Sequence, residues 1–257
     1  MTGPSSRPAP LDQADGLRRL FGHARVRFVP VVSNPHMSFG GVMLERLCAA
    51  FGERGLHTLV ADAGERAPAH SEMAMAELSE CVETLSSQVS YLAARGLPLR
   101  FVDTHGSTAG FLQAASDAAP HADVVLVHAP ATDLCRMFAR SEARPLLLAD
   151  DRPASVTHAY AAMKLLTQRA GLVVFDLLLG AAPSSPRAER IAMQLATCAD
   201  DFLGAVLRDW VQLDPATDAR EAPTAGLRRW AADTLEPAAG FLGRAGMSAD
   251  PFSHAMN

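Results

Sequence analysis

The sequence predicts an α/β fold, with a mainly parallel sheet that carries helices on both faces. Three observations support this prediction. Short apolar runs alternate with segments of helical spacing along most of the chain, as in repeated strand–helix–strand units. A Gly-containing loop joins the first apolar run to the first helical segment. The 257 residues are 49% hydrophobic and 20% charged, which is enough for one sizeable core.

The stretch from Phe28 to Asp62 organises the rest of the chain. A strand at Phe28–Val32 leads through a loop into a helix with an apolar face, and a second strand at Thr58–Ala61 ends at Asp62. This is the layout of a phosphate-binding βαβ unit, in which loop amides and a helix N-terminus hold phosphate. The loop itself contains no lysine, which raises the question of whether the site still works.

Strands and helices continue to alternate beyond Asp62, and connections of this order favour parallel pairing. The predicted helices are Ser71–Arg95, Phe111–Ala118, Ala154–Arg169, Pro186–Trp210, Leu227–Leu235 and Ala238–Arg244. The predicted strands are Leu99–Val102, Ala122–Val127, Leu146–Ala149 and Leu172–Leu179.

The chain divides into an N-terminal segment (1–24), an α/β domain (25–213) and a C-terminal linker with short helices (214–257). Residues 1–10 are too poor in apolar side chains to fold alone, whereas residues 11–21 predict a short helix capped by Asp12. Its apolar stripe consists of Leu11, Ala14, Leu17 and Phe21. The stripe suits either of two roles, a cap on the chain's own sheet or an insertion into a partner's groove.

Composition excludes several functions. A net charge of −5 argues against nucleic-acid binding, and the four cysteines lack the spacing of metal or redox motifs. No apolar run is long enough for a membrane span, so we expect a cytoplasmic protein with weak or no membrane contact. The tail residues Trp230, Leu235, Phe241 and Leu242 suit a docked or a frayed helix better than a membrane anchor.

Two stretches resemble a known family. Asp12–Arg18 (DQADGLR) is similar to the DQAxxLR element, and residues 153–166 (PASVTHAYAAMKLL) are similar to the PTSITDAYALIKLL stretch, of the flagellar-number regulators FlhG or FleN. These regulators are MinD/ParA-type deviant P-loop ATPases. The resemblance covers roughly residues 11–215 and implies a P-loop NTPase-like fold. It also implies a protein that is cytoplasmic or peripherally attached at the cell pole.

The chemical positions of that family are altered. Aligned without gaps on SGKGGVGKT, the loop starts at Ser33, and the two lysines and the magnesium-binding threonine become Pro35, Gly40 and Gly41. Asp62 is retained, but Gly64 replaces its second carboxylate, His128 replaces the Walker B aspartate and Gly180 replaces the base-recognition asparagine. Pro35 has no N–H, and Met37 and Phe39 replace glycines of the cradle. Phosphoryl transfer depends on such charges, so we expect no hydrolysis, no catalytic residues and no bound cofactor or metal.

The resemblance therefore predicts a pseudo-ATPase that regulates flagellar number or placement. Its partner would be a signal-recognition-type flagellar GTPase, and basal-body or transcription-regulator proteins are further partners that it allows. The predicted partner-binding residues are Asp12, Gln13, Ala14, Leu17, Arg18 and Phe21. Two alternatives stay open, a residual ATPase that uses ATP and Mg²⁺, and a structural paralogue without a GTPase partner. The oligomeric state is left undetermined.

Other polar clusters give weaker signals. His36, His128 and His158 match no metal pattern, so we expect solvated loop histidines. Asp150 and Asp151 precede a helix, and we expect both to face solvent. The sequence contains neither GxSxG nor HExxH, the motifs of serine hydrolases and zinc proteases.

Overall fold

The computed structural model describes residues 26–70, 77–218 and 220–236, and these residues form an eight-stranded sheet with helices on both faces. The strands are β1 (Arg27–Val32), β2 (Thr58–Asp62), β3 (Val82–Thr84), β4 (Val89–Ala93), β5 (Val124–Ala129), β6 (Leu146–Asp150), β7 (Val174–Gly180) and β8 (Val206–Leu213). The helices are α1 (Gly40–Gly52), α2 (Gly110–Ala118), α3 (Ala131–Met137), α4 (Pro153–Ala170), α5 (Ala188–Leu203) and α6 (Ala225–Leu235). The predicted fold class is thereby confirmed.

The strand order is β3-β4-β2-β5-β1-β6-β7-β8, and only the β3–β4 pair is antiparallel. The central strands are continuous apolar runs, because both of their faces are covered by helices. Their registers align the strand ends that carry the predicted site: Asp62 of β2 lies opposite His128 of β5, and Asp150 of β6 lies opposite Gly180 of β7. All four residues therefore lie at the carboxyl edge of the sheet, where open α/β sheets bind ligands.

The two faces of the sheet are covered unequally. One face packs against α2, α3, α4 and α5, and the other packs against α1 and α6. The α1–α6 pair includes an edge-to-face contact between Phe51 and Trp230, whose ring centroids are 5.9 Å apart. Trp230 is 2% exposed, so α6 is docked on the domain as the sequence suggested. Among the described residues, no helix is long and apolar enough to cross a membrane.

A buried arginine ties the segment before α6 to α1. Arg46, in the middle of α1, is 1% exposed, and its guanidinium donates to the carbonyls of Glu221 (2.7 Å), Ala222 (3.1 Å) and Asp218 (3.3 Å). Charged hydrogen bonds of this kind are stronger than neutral ones. They fix the approach of the chain to α6, which the sequence suggested only as a linker.

The helix predicted over Ser71–Arg95 is wrong in its described part, residues 77–95. This part contains a 3₁₀ turn at Ser79–Cys81 followed by the β3–β4 hairpin. The apolar residues do recur at helical spacing, but Leu85 is 61% exposed and cannot belong to a buried helical face. Pairing of β4 with the buried strand β2 over five residues outweighs the local pattern.

Two further boundaries differ from the prediction. Leu97–Phe101 is a 3₁₀ helix rather than a strand, because Gly96 adopts a left-handed φ of 78° and Pro98 cannot donate to a sheet ladder. The helix predicted at Pro186–Trp210 ends at Leu203, since Gly204 caps it with a left-handed φ of 59°. The residues that follow Gly204 form β8, and α3 is a helix that the sequence interpretation missed.

Candidate functional site

A cavity of about 270 Å³ lies at the carboxyl edge of the sheet, between the loop after β1 and the ends of β2 and β5. Pockets that hold drug-sized ligands have volumes of about 300–1,000 Å³, so this cavity is small for a nucleotide. The structure brings together six of the eight predicted positions as its lining: Ser33, Pro35, Gly40, Gly41, Asp62 and His128. Gly64 and Gly180 lie nearby, each against a side chain of the site.

The loop between β1 and α1 presents its carbonyl groups to two arginines. Arg66 donates to the carbonyls of Pro35 (2.6 Å) and Met37 (2.7 Å), and Arg152 donates to the carbonyl of His36. In a phosphate-binding loop the amide N–H groups face the ligand and attract its negative charge. Here the polarity at three successive positions is reversed, because carbonyl oxygens face the guanidinium groups.

Hydrogen bonds to β6 and α4 also hold the loop in place. The Asn34 amide donates to the Leu148 carbonyl (2.8 Å) and to Ser155 Oγ (3.0 Å), while its oxygen accepts from the His36 N–H (3.1 Å). Met37 is 2% exposed and packs into the core beside α1. The loop therefore has its own hydrogen bonds and its own apolar anchor, which stabilise it without a ligand.

Phe39 occupies the space beside Gly180. A Cβ atom built at Gly180 would lie 2.3 Å from Cε2 and 2.8 Å from Cζ of the Phe39 ring. Contacts this short do not occur between real atoms, so the ring packs where any larger residue at position 180 would place its side chain. The position assigned by resemblance to base recognition is consequently covered by an aromatic side chain from the loop.

His128 and Gly64 form a second matched pair around Asp62. Nδ1 of His128 lies 2.6 Å from Oδ1 of Asp62, and since a carboxylate only accepts, Nδ1 carries the hydrogen. The Gly64 N–H (3.0 Å) and the Tyr91 hydroxyl (3.2 Å) also donate to this carboxylate. A Cβ at Gly64 would lie 2.8 Å from Cε1 of His128, so the histidine ring excludes a second carboxylate at that position.

These partners set the charge state of Asp62. Burial acts to raise its pKa, but the hydrogen bond and charge of His128, together with the Gly64 and Tyr91 donors, hold the pKa below its usual value. Burial and the neighbouring Asp62 carboxylate raise the pKa of Tyr91. Asp62 is thus an ionised carboxylate whose hydrogen-bonding capacity is used within the protein.

Further polar groups in and around the cavity have partners within the protein. Ser33 Oγ donates to Glu65 (2.7 Å), and the Ser33 carbonyl lies 3.2 Å from Nε2 of His158. The rings of His36 and His158 meet edge to face, with centroids 5.6 Å apart. Among the described residues, no group of three or more His, Cys, Asp or Glu side chains is arranged to hold a metal ion.

The residues present do not fit ATP and Mg²⁺, which the fold implies. The sequence contains a single lysine, Lys164, and it is exposed on α4, a helix of the opposite face from α1. The loop oxygens face arginines, and Asp62 is engaged by three donors. What remains of a phosphate site is the N-terminus of α1, where Gly40 and Gly41 have open space beside them.

Two sequence interpretations need correction. Asp150 does not face solvent: it is 2% exposed, and its carboxylate pairs with Arg152 at 2.7 and 2.9 Å. His128 is not a solvated loop residue, because it lies within β5 and bonds to Asp62. His36 is exposed as expected. His158 is not a solvated loop residue either, because it lies within α4 and is half-buried.

The sequence interpretation also missed several residues of the site. No sequence motif marks Arg66, Glu65 or Tyr91. The only indication for Arg152 is its position shortly after a predicted strand. The predicted partner-binding residues lie outside the described residues: Asp12, Gln13, Ala14, Leu17, Arg18 and Phe21. The tail positions Phe241 and Leu242 also lie outside them.

Comparison with known proteins places this geometry in context. No protein-family profile matches the chain. The antiactivator FleN of Pseudomonas aeruginosa is 34% identical over 102 residues, which are 39% of this chain and 36% of that protein. The chain thus matches about a third of the relative's length.

Solved structures match over most of the chain. The ParA family ATPase of Chlorobium tepidum superposes with a TM-score of 0.52 and 12% identity, over 81% of this chain and 98% of that one. MinD of Aquifex aeolicus superposes with a TM-score of 0.52 and 11% identity, over 81% and 96%. The chain therefore has the fold of the MinD and ParA ATPases, and over about two fifths of its length it is similar in sequence to an antiactivator.

Proposed function

We propose that this protein is a non-hydrolysing MinD/ParA-like regulator of flagellar number or placement. It acts by protein contact, through the DQAxxLR helix at its N-terminus, on a signal-recognition-type GTPase. The α/β domain serves as the scaffold that carries the helix. The regulatory part of this proposal draws on the similarity to an antiactivator, and the scaffold part draws on the fold.

The observation that carries the proposal is the pairwise packing of the altered positions. Phe39 fills the space left by Gly180, and His128 fills the space left by Gly64. Each glycine leaves room for the bulky side chain beside it. A larger residue at Gly180 or Gly64 alone would therefore clash with Phe39 or His128. Such matched packing is typical of a site that has become part of the core, and it supports a scaffold rather than an enzyme.

The experiment measures GTP turnover by the suspected GTPase in the presence of the full chain. We expect the wild-type chain to stimulate turnover and the Leu17→Asp variant to lose the stimulation, because a charge within the apolar stripe opposes insertion into a groove. Gly16→Asp is the matched control, since it adds the same single carboxylate at an unspecified position of the DQAxxLR element and off the stripe. Equal stimulation by both variants would contradict the proposal.

Two other functions give different results. A structural paralogue predicts no stimulation by the wild-type chain and no motility defect in a Leu17→Asp strain. A residual ATPase predicts Mg²⁺-dependent ATP binding, for which the described residues offer the α1 N-terminus at Gly40 and Gly41.

A further inference from the structure

An apolar groove of about 880 Å³ runs along one side of α1, over β2 and β4. One stripe of α1, from Gly41 to Gly52, forms its wall together with Glu53 just after the helix. β2 and β4 form its floor with Val60 and Tyr91. The turn between β3 and β4 forms its rim, where Leu85 is 61% exposed. The groove therefore extends along the whole length of α1.

The sheet is wider than the two helices that cover this face. Eight strands spaced about 4.8 Å apart make a sheet about 34 Å wide. Two helices of about 10 Å diameter, α1 and α6, cover roughly 20 Å of this face, whereas four helices cover the other. The uncovered strip over β2 and β4 is thus roughly 14 Å wide, which is room for one more helix.

We propose that this groove is the docking site for residues 11–21 of the same chain. As a helix, these eleven residues are about 16 Å long, against about 20 Å for α1. Their apolar stripe, Leu11, Ala14, Leu17 and Phe21, matches the groove in chemistry as well as in length.

The connection to the domain has the required reach. Residues 22–26 join Phe21 to the start of β1 and can span about 20 Å when extended. The groove lies two to three strands from β1 in the order β1-β5-β2-β4, which is about 10–14 Å across the sheet. The height of a helix above the sheet is about 10 Å, and since it is perpendicular to that distance, the straight path is about 14–17 Å.

Charge distinguishes the N-terminal segment from the C-terminal one. Three carboxylates line the groove, but Glu53 is paired with Arg228 (2.7 and 3.0 Å) and Asp62 with His128 (2.6 Å). Glu45 is therefore the carboxylate of this lining that has no ion pair among the described residues, and the described lining includes neither lysine nor arginine. Residues 1–25 carry four arginines against two aspartates, including Arg18 and Arg19 in the predicted helix. In residues 237–257 Arg244 and Asp250 cancel, so only the N-terminal segment is complementary in charge.

Docking in the groove would bury the apolar stripe of residues 11–21, which is the same surface that binds a GTPase in the proposed function. If that function holds, the helix is bound either to its own domain or to the partner, so the groove restrains the activity of the helix. The docking itself does not depend on the partner and is testable without it.

Hydrogen–deuterium exchange of the full chain tests the docking. We expect the amides of residues 11–21 to exchange at least about tenfold more slowly in the wild type than in Leu17→Asp. Leu85→Asp should remove the same protection, because it places a charge on the groove rim. Val206→Asp is the matched control, since Val206 is 55% exposed at the opposite edge of the sheet. It should leave the protection unchanged.

Four results would overturn the proposal. Residues 11–21 could exchange freely in the wild type, or their protection could survive Leu85→Asp, in which case the helix does not use this groove. Leu85-dependent protection of residues 238–244 instead would assign the groove to the C-terminal segment. Protection of residues 11–21 that increases with protein concentration would assign it to a second copy of the chain. Because no GTPase is present, these outcomes are distinct from failure of the proposed function.

Discussion

The packing of Phe39 against Gly180 gives a quantitative test of the altered site. In Gly180→Ala, the new methyl group would lie 2.3 Å from the ring, and overpacking of this kind costs about 1–3 kcal/mol. If the ring moves out instead, the protein loses the packing of a half-buried phenylalanine, about 2 kcal/mol, or roughly half the cost of removing a fully buried one. Either response destabilises the single variant by a similar amount.

The double variant separates this contact from other effects. Phe39→Ala removes the ring, so adding Gly180→Ala should then cost little, and the cycle should show a coupling of about 1–2 kcal/mol. The measurement is urea unfolding followed by fluorescence of Trp210 and Trp230. Gly41→Ala is the control, because a Cβ there has no neighbour within 4 Å, and it should be neutral or stabilising by less than about 1 kcal/mol. A Gly180→Ala variant as stable as wild type, or additive effects in the double variant, would refute the packing argument.

Three further outcomes are expected from urea unfolding. Gly64→Ala should destabilise the protein by about 1 kcal/mol, because its methyl group meets the His128 ring, and the loss should be smaller in a His128→Ala background; equal losses would contradict this. Arg46→Met should cost about 2–3 kcal/mol, since it leaves three carbonyls without their charged donor, and a neutral result would show that water replaces it. The folded-state pKa of Asp62 lies below its unfolded value near 3.9, so its stabilising effect is present above that pH and is lost as pH falls through the folded pKa. The stability difference between wild type and Asp62→Asn should therefore shrink between about pH 5 and pH 3, and a constant difference would argue against this role.

The sequence predicted the elements whose hydrophobic pattern agrees with their tertiary environment. β1, β5, β6 and β7 are largely buried and are mainly apolar in sequence, although Asp176 interrupts β7, so their existence and their parallel pairing followed from the pattern. The β3–β4 hairpin was missed because its apolar residues happen to recur at helical spacing. Gly204 carried a usable signal for the end of α5, since glycine commonly ends helices in the left-handed conformation.

The altered positions of the site were predictable only one at a time. A linear alignment identified Pro35, Gly64, His128 and Gly180 as departures, but it could not show that they pack in pairs. The roles of Arg66 and Arg152 depend on contacts with loop carbonyls about 30 and 116 residues away in sequence. Only the three-dimensional arrangement shows that arginines face the carbonyls where a phosphate-binding loop would present its amides.

ATP binding by the full chain tests the central claim most directly. Calorimetric titration with ATP and Mg²⁺ should give no saturable heat up to millimolar nucleotide. Phe39→Ala, which uncovers the space beside Gly180, should also fail to bind, because the phosphate donors are still missing. Micromolar, Mg²⁺-dependent binding by the wild-type chain would contradict the account and support an ATPase.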